Sequence, residues 1–231
     1  MITDQMLIDP ELFGERLSQM LSGRERRHVA EEGLRKSAVL VPLCWMDREP
    51  HVILTRRSRQ VRHHQGEISF PGGRQEPDDQ TLVETALRET WEEVGVRPED
   101  VRVCGLLDDY STLFGFHITP VVGLVPYPYD FQINVESDAL LFVPLAQVLA
   151  ADSWMFEVME VGENRYNIYY LERPEGVIWG ATGKILKLLA DLLSGEELPA
   201  GQLSPSARQW VEEIVAMQQT YREFKNSGAA N

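Results

Sequence analysis

The stretch from Phe70 to Val96, FPGGRQEPDDQTLVETALRETWEEVGV, guides the interpretation of the whole chain. Its second half predicts a helix from about Leu82 to Val94. Small and apolar residues recur there at helical spacing and define one face: Val83, Ala86, Leu87, Thr90 and Val94. Three carboxylates, Glu89, Glu92 and Glu93, stand at positions i, i+3 and i+4, so their side chains are expected to converge on the opposite face.

Such a carboxylate cluster has two interpretations. Like charges at this spacing destabilise a helix by about 0.2–0.5 kcal/mol per pair. The cluster is therefore either an ordinary solvated face or a set of ligands for a cation. For three glutamates alone the solvated face is the usual answer. Hard oxygen ligands would suit Mg²⁺ or Mn²⁺, and the surrounding sequence decides between the two interpretations.

The residues on either side of the predicted helix have recognisable roles. Pro71-Gly72-Gly73 predicts a turn whose glycines allow close approach of the backbone. Asp78 and Asp79 are placed to cap the start of the helix, and Gly95 is placed to end it in a left-handed conformation. The pattern is thus a glycine-rich turn that leads into a short helix with an acidic face.

The complete stretch resembles the signature of the Nudix hydrolase family. That signature has Gly, five residues, Glu, seven residues, then Arg-Glu-x-x-Glu-Glu-x-Gly and an aliphatic residue. The matching residues are Gly73, Arg88, Glu89, Glu92, Glu93, Gly95 and Val96. Asp79 replaces the first Glu, and one extra residue precedes Arg88, as the coenzyme A pyrophosphatase branch of the family tolerates. We therefore expect Asp79 to be structural and not catalytic.

A basic segment directly upstream contains Arg56, Arg57, Arg59 and Arg62. The coenzyme A branch carries a motif there: Leu-Leu-Thr-x-Arg-Ser or Ala, three residues, Arg, three residues, Gly, three residues, Phe-Pro-Gly-Gly. This chain keeps that register, with Ile53 in place of the first Leu. By composition alone the segment could be a solvated loop. Guanidinium groups match phosphate oxygens well, so we expect the four arginines to bind substrate.

The resemblance implies a metal-dependent pyrophosphohydrolase. Its substrate would be coenzyme A or an acyl derivative, and its products 3',5'-ADP and (acyl-)4'-phosphopantetheine. The implied ligands of Mg²⁺ or Mn²⁺ are Glu89, Glu92, Glu93 and the carbonyl oxygen of Gly73. A divalent cation would neutralise phosphate charge and acidify a water molecule.

One carboxylate must then accept the proton of that water. Glu89 and Glu136 are the candidates, and the sequence leaves the choice open. Glu136 matches a glutamate that the branch carries before a Val-Pro-Leu sequence. Arg88 is expected to orient Glu89 or a neighbouring acid, not the substrate.

Two alternatives stay open. One is a Nudix hydrolase of another nucleoside diphosphate derivative, such as ADP-ribose, NADH or a dinucleoside polyphosphate. The other is a non-catalytic nucleotide-sensing module. All three glutamates are present, which disfavours the sensing module, because a protein that only binds nucleotide does not require them.

Composition narrows the class of protein further. The 231 residues carry a net charge of −14, which argues against a large nucleic-acid interface. No apolar run approaches the length of a membrane span, and the N-terminus lacks the features of a secretory signal. With two cysteines, Cys44 and Cys104, the chain is expected to be reduced and cytoplasmic. We expect a small-molecule nucleotide substrate, and a homodimer is possible.

The fold implied by the resemblance is α/β: a mixed β-sheet sandwiched between helices, with extra N- and C-terminal helices. We expect a helical extension over residues 1–36, the hydrolase domain over 37–194, and a linker with a C-terminal helix over 195–231. Strands are predicted at Ala38 to Trp45, His51 to Thr55, Val101 to Leu107 and Phe116 to Val125.

Two loops and one proline have particular predictions, and the second loop is expected near the site. Asp108 to Ser111 is expected to be a polar loop, and Pro120 to mark a bulge or an edge position in the following strand. The aromatic loop from Tyr127 to Phe131 could pack on an adenine or simply close the core.

Overall fold

The computed structural model describes residues 7–28, 33–59, 64–112, 115–161 and 164–226. The helices with defined bounds are α1 (Pro10–Ser22), α2 (Leu82–Val94), α3 (Leu145–Leu149), α4 (Gly180–Ser194) and α5 (Pro205–Asn226), with 3₁₀ turns at Pro98–Asp100 and Ala151–Ser153. The strands are β1 (Arg35–Met46), β2 (Glu49–Arg57), β3 (Ile68–Ser69), β4 (Gly72–Arg74), β5 (Arg102–Leu106), β6 (Tyr110–Ser111), β7 (Phe116–Leu124), β8 (Ser137–Pro144), β9 (Trp154–Val161), β10 (Asn164–Arg173), β11 (Gly176–Ile178) and β12 (Gly201–Gln202). Within these ranges no helix is long and apolar enough to cross a membrane.

Strand β1 is central to the larger sheet. Its first half pairs antiparallel with β4 and its second half pairs antiparallel with β2, while β7 runs parallel to it. Beyond β7 the sheet continues with β5 and β6, and both β3 and β8 pair with β2. Over the described part of the chain this mixed sheet has eight strands.

Helices cover both faces of this sheet, which confirms the expected sandwich. On one face α2 packs against the sheet in a cluster that includes Ala38, Leu40, Ile53, Ala86 and Val94. On the other face α1 and α4 pack in a larger cluster that includes Phe13, Leu17, Leu43, Leu54 and Ile185. Burial of a side chain such as Phe13 contributes about 1.5–3 kcal/mol, so α1 is an integral part of this core.

Helix α1 accounts for only part of the expected N-terminal extension. Asp9 caps its start by accepting hydrogen bonds from the backbone N–H groups of Glu11 and Leu12. The helix ends at Ser22, and β1 already begins at Arg35. In the arm after Ser22, Arg24 donates to the Leu106 carbonyl at the end of β5, and Arg26 donates to the Leu107 carbonyl just beyond it.

One loop prediction is wrong. Asp108 to Ser111 is not simply a polar loop, because Tyr110 and Ser111 form β6 and the Asp109 side chain is buried. Pro120 lies inside β7, opposite Val39 of β1, and its carbonyl oxygen accepts from the Leu107 N–H where β5 has ended. No bulge lies at Pro120, but the paired part of β5 ends next to it, which fits the expected edge position.

A smaller sheet follows in the order β11-β10-β9-β12. Strands β9 and β10 pair antiparallel, and residues 162–163 between them lie outside the described residues. Residues 195–203, expected as a linker, are packed: Leu198 and Leu203 are buried, and β12 pairs with β9. Helix α5 follows and places Trp210 against Gly176.

Candidate functional site

Helix α2 has the predicted bounds, but a different residue caps its start. The Thr81 hydroxyl accepts the hydrogen bond from the Glu84 N–H at 3.1 Å, so the expected caps Asp78 and Asp79 are wrong. Gly95 ends the helix as predicted, with φ of 76°, and its N–H donates to the Trp91 carbonyl.

Asp79 has a different task, which is to hold Arg88. The Arg88 Nε and Nη2 atoms donate to the two carboxylate oxygens of Asp79, each at 3.0 Å. Further hydrogen bonds come from the Thr85 hydroxyl and the Glu76 N–H. Hydrogen bonding by Arg88 lowers the pKa of Asp79 to about 2, although its side chain is only 6% exposed. Asp79 is thus a permanent anion that fixes the Arg88 guanidinium.

Arg88 in turn contacts two of the three expected metal ligands. Its Nη2 atom lies 3.2 Å from a Glu89 oxygen, and its Nη1 atom lies 3.3 Å from both oxygens of Glu92. The Glu92 side chain is 53% exposed, whereas that of Glu89 is 18% exposed. Arg88 therefore restrains two carboxylates on the outer face of α2, consistent with an orienting role.

Glu93 does not lie on the exposed face where the periodicity placed it. It stands three residues after Thr90 and seven after Ala86, so it borders the buried face, and β4 covers it. Its residue surface is 8% exposed. A Glu93 carboxylate oxygen accepts the Gly72 N–H at 3.2 Å. The expected glycine-rich turn is therefore a short strand that closes over α2.

The two glycines of β4 make this closeness possible. Gly72 has φ of 153°, and a Cβ atom there would overlap the Ala38 carbonyl oxygen of β1. A Cβ atom on Gly73 would overlap the carboxylate of Glu89. A side chain at position 72 would therefore force β4 away from β1, and one at position 73 would displace the Glu89 carboxylate.

Burial disfavours the charged form of Glu89 and Glu93. It raises the pKa of Glu93 to about 7, against the lowering effects of the Gly72 N–H and the Arg57 charge. Repulsion from Glu89 and Glu136 raises it further. Burial also raises the pKa of Glu89, although Arg88 opposes this. The site therefore carries negative charge that nearby described groups compensate only in part.

Glu136 joins this site from a distant part of the chain. The Arg57 Nη2 atom lies 3.1 Å from a Glu136 carboxylate oxygen, and the Ser58 N–H donates to the Glu136 carbonyl. Arg57 contacts Glu136, and the N–H of nearby Asn134 donates to the Glu93 carbonyl, so the end of β2, the segment before β8 and helix α2 meet at one place.

The four expected substrate-binding arginines are not equivalent. Arg57 pairs with Glu136, and Arg56 pairs with Asp138 at 2.7 Å. Arg59 is exposed, and Arg62 lies outside the described residues.

The aromatic loop packs as part of the core. The rings of Tyr127 and Phe131 both contact Phe142, with centroid separations of 5.9 and 5.8 Å. The Tyr129 hydroxyl donates to Asp100 at 2.7 Å and accepts from the Arg97 N–H. These contacts favour the core interpretation over adenine stacking.

Sequence reasoning missed Asn134, which lies between α2 and Glu136. Its backbone N–H donates to the Glu93 carbonyl. Its side chain donates to the Glu92 carbonyl and accepts from the Glu136 N–H. A lone asparagine in a loop carries no sequence signal for this role, because its partner on α2 is 42 residues away.

Comparison with known proteins identifies the family. A model of the NUDIX domain matches residues 34–161, which is more than half of the chain. The chain belongs to the Nudix family. A Yersinia pestis (strain Pestoides F) protein named "Uncharacterized Nudix hydrolase NudL" is 40% identical over 162 residues, covering 69% of this chain and 80% of that protein. A protein of the same name from Yersinia pseudotuberculosis serotype O:1b (strain IP 31758) has the same identity and coverage.

The Nudix fold is therefore the correct description of the mixed sheet and its helices. Among solved structures, "Crystal structure of MutT/nudix family protein from Enterococcus faecalis" covers 90% of this chain and 82% of that chain, at 16% identity and a TM-score of 0.45. The chain is a Nudix hydrolase, and thus an enzyme that acts on a nucleoside diphosphate derivative.

Nudix hydrolases generally use divalent metal ions, and the donor set of this Nudix hydrolase fits one. Within the described ranges, no three His, Cys, Asp or Glu side chains are already arranged as a metal-binding group. Glu89 and Glu92 instead lean on Arg88, and Glu93 binds the Gly72 N–H. Hard oxygens with uncompensated charge are nevertheless the ligands that Mg²⁺ and Mn²⁺ prefer. That Glu89, Glu92, Glu93 and Gly73 bind the metal stays a prediction.

Proposed function

We propose that this Nudix hydrolase cleaves the diphosphate bond of coenzyme A or acyl-coenzyme A, giving 3',5'-ADP and (acyl-)4'-phosphopantetheine. One observation carries the proposal. Arg57, near the start of the segment that resembles the coenzyme A motif, pairs with Glu136 beside the acidic site and lowers the pKa of Glu93. The two motifs therefore contribute to a single site, as a motif for substrate choice should.

The way the upstream motif folds supports this proposal. The Thr55 hydroxyl donates to the Ser69 carbonyl at 3.3 Å, which ties β2 to β3. Gly66 adopts φ of 72°, and its N–H donates to the Arg57 carbonyl at 3.0 Å. These contacts return the chain to the site, so that Gly72 reaches Glu93. The spacing of the motif thus has a structural purpose at this site.

We propose Glu89, Glu92, Glu93 and the Gly73 carbonyl as the metal-holding groups. A bound Mg²⁺ or Mn²⁺ would neutralise diphosphate charge and make a water molecule more acidic. Arg88, itself fixed by Asp79, keeps Glu89 and Glu92 in a limited range of orientations.

Of the two candidate proton acceptors, we favour Glu136. Its side chain is about half exposed and paired with Arg57, so water can reach it while its direction is restrained. Glu89 is less exposed and already contacts Arg88. A positioned carboxylate within hydrogen-bond reach of the water is what general base catalysis requires.

We propose that the arginines of the basic segment bind the phosphates of the substrate. Arg56 and Arg57 already pair with Asp138 and Glu136, so they hold β2 and β8 in place as well. Arg59 is exposed near the end of β2 and is the more available phosphate contact in the described part of this segment. Arg62 completes the proposed set.

A substrate screen tests this function. The protein would be incubated with Mg²⁺ or Mn²⁺ and coenzyme A, acetyl-coenzyme A, NADH, ADP-ribose or diadenosine polyphosphates, with products separated by chromatography and identified by mass. We expect the highest kcat/KM for coenzyme A or its acyl derivative, with 3',5'-ADP as a product. A clear preference for any of the other substrates would reject the proposal and leave a Nudix hydrolase of different specificity.

A further inference from the structure

Asn134 connects the acidic helix to the proposed proton acceptor. Its side-chain Nδ2 atom donates to the Glu92 carbonyl at 3.2 Å, and its backbone N–H donates to the Glu93 carbonyl at 3.0 Å. Its side-chain Oδ1 atom accepts from the Glu136 N–H at 2.9 Å. One residue thus contacts the backbone of two expected metal ligands and of Glu136.

These contacts lie where a helix has unmet hydrogen-bonding capacity. The last four carbonyl groups of an α-helix have no partner within the helix. At the end of α2, the Gly95 N–H donates to the Trp91 carbonyl and the Gln132 N–H donates to the Val94 carbonyl. The side-chain amide and the backbone N–H of Asn134 donate to the carbonyls of Glu92 and Glu93. The segment from 132 to 134 is therefore bonded directly to the helix end, and Glu136 follows two residues later.

The two side-chain contacts of Asn134 use the donor and the acceptor of one amide group. The Glu92 carbonyl requires a donor, and the Glu136 N–H requires an acceptor. Asn supplies both on one planar group, whereas an aspartate lacks the donor and an aliphatic side chain lacks both. The placement of Glu136 relative to the α2 carboxylates therefore depends on the identity of this residue.

We propose that Asn134 is a positioning residue for the hydrolysis, which sets where the Glu136 carboxylate stands relative to Glu92 and Glu93. The inference rests on the proposed role of Glu136 as proton acceptor. Arg57 restrains the same carboxylate from the β2 side at 3.1 Å. Glu136 is thus held from two sides, by its side chain and by its backbone, although it lies at the surface.

Kinetics of two substitutions test this positioning. Asn134→Ala removes both side-chain contacts. Because displacement of a general base impairs the chemical step and leaves ground-state binding largely intact, we expect kcat to fall about tenfold and KM to change less than about twofold. In Asn134→Ser the hydroxyl can still accept from the N–H two residues later. Its kcat should recover to within about threefold of wild type, although the Glu92 contact is lost.

A double-mutant cycle with Glu136→Gln identifies the group through which Asn134 acts. If Asn134 acts by placing Glu136, Asn134→Ala should cause no further loss of kcat in the Glu136→Gln background. Gln132→Ala serves as the matched control, because its side chain lies against Asp130 and Gly95 and bonds none of the site carboxylates, and it should keep wild-type kcat. Thermal melting of every variant separates loss of folding from loss of positioning.

The outcomes are distinct. Equal losses of kcat from Asn134→Ala in the two backgrounds, or no loss at all, would overturn the inference. If Glu136→Gln alone keeps full kcat, the role of Glu136 is refuted and the inference fails with it. If wild-type protein rejects coenzyme A, the substrate proposal fails, and the same cycle is measured on whichever nucleoside diphosphate derivative the protein hydrolyses.

Discussion

Glu93 and Asp109 are both buried carboxylates, yet their surroundings are opposite. Asp109 accepts a hydrogen bond from the Thr119 hydroxyl at 2.7 Å, and it pairs with His117 at 3.0 Å and with Arg26. Burial alone would raise the pKa of Asp109, but the hydrogen bond from Thr119, the contact with His117 and the Arg26 charge lower it. Glu93 accepts one backbone N–H from Gly72, and burial raises its pKa to about 7.

The difference separates two uses of a buried acid. The partners of Asp109 join the N-terminal arm, β7 and the segment before β6, so its charge holds remote segments together. Asp79 resembles it, because Arg88 lowers its pKa to about 2. Glu93 stands among other carboxylates with less compensation, so a proton or a cation from solution must complete its surroundings. We infer that the first two acids serve the fold and that Glu93 serves the reaction.

Removal of metal should give the largest effect. The carboxylates around Glu93 need a cation from solution. Hydrolysis should therefore be lost completely in excess EDTA and return with Mg²⁺ or Mn²⁺. Activity should also rise toward alkaline pH, since the attacking water must lose a proton. The measurement is initial rate against added metal and against pH. Full activity in excess EDTA would contradict the assigned role of the carboxylates.

Glu93→Gln should separate activity from stability. Loss of one proposed metal ligand should lower kcat by about a thousandfold. In metal-free protein, however, removal of a buried charge that neighbouring carboxylates repel should leave the melting temperature unchanged or higher. Calorimetry with and without metal measures this, and Glu99→Gln, on the exposed 3₁₀ turn, is the control. A large drop in the metal-free melting temperature would show that Glu93 is structural.

Asp109→Asn should produce the reverse pattern. Removal of one member of a buried charged network leaves Arg26 without its carboxylate partner, and we expect a loss of about 3 kcal/mol in the free energy of unfolding. The folded variant should keep kcat within about twofold of wild type. Urea unfolding gives the stability, and Asp108→Asn, at the more exposed neighbour paired with Arg24, should cost less. Equal losses of unfolding free energy for Asp109→Asn and Asp108→Asn would contradict a special structural role for Asp109.

Asp79→Asn should show a pH signature of the same structural kind. The pKa of Asp79 falls from its usual 3.8 to about 2 on folding, so its stabilisation is complete above about pH 4 and is lost as pH falls through 2. Wild type should exceed the variant by about 2 kcal/mol near pH 5, and the difference should shrink toward pH 2. Urea unfolding at several pH values checks this, with Asp78→Asn as control. A difference independent of pH would assign the loss to packing.

Substitution of the proposed phosphate-binding arginines should have the smallest effect. It tests which arginines bind substrate phosphates and which only pair with carboxylates of the protein. Arg62→Ala should raise KM for coenzyme A several-fold more than KM for 3'-dephospho-coenzyme A if this arginine meets the 3'-phosphate. Arg59→Ala provides the parallel measurement at an exposed, described position. Equal increases for the two substrates, with lower kcat, would place the contact at the diphosphate. No change for either substrate would return these residues to the role of a solvated loop.

The course of α2 was predictable because its signals are local. Periodicity predicted Leu82 to Val94, and Gly95 ends the helix in the expected left-handed conformation. The capping prediction failed because Asp79 binds Arg88, nine residues away, in preference to the free N–H groups next to it. The burial of Glu93 was missed because it depends on β4, whose cover over α2 requires the pairing of β4 with β1.

The contacts that divide the carboxylates were beyond reach from the sequence. Arg57 and Glu136 are 79 residues apart, and Arg26 and Asp109 are 83 residues apart. No periodicity or spacing relates positions so distant. A single sequence shows the acids but not which basic residues pair with them.

The sequence by itself determined the positions of the chemistry: three glutamates on one short helix, a glycine-rich approach to them and a run of arginines upstream. The family followed from these because they are contiguous and their spacing is fixed by the covalent chain. Only the tertiary structure decided which carboxylates are neutralised and which are not. The charge state of an acid depends on the water it loses and the partners it gains, and folding sets both.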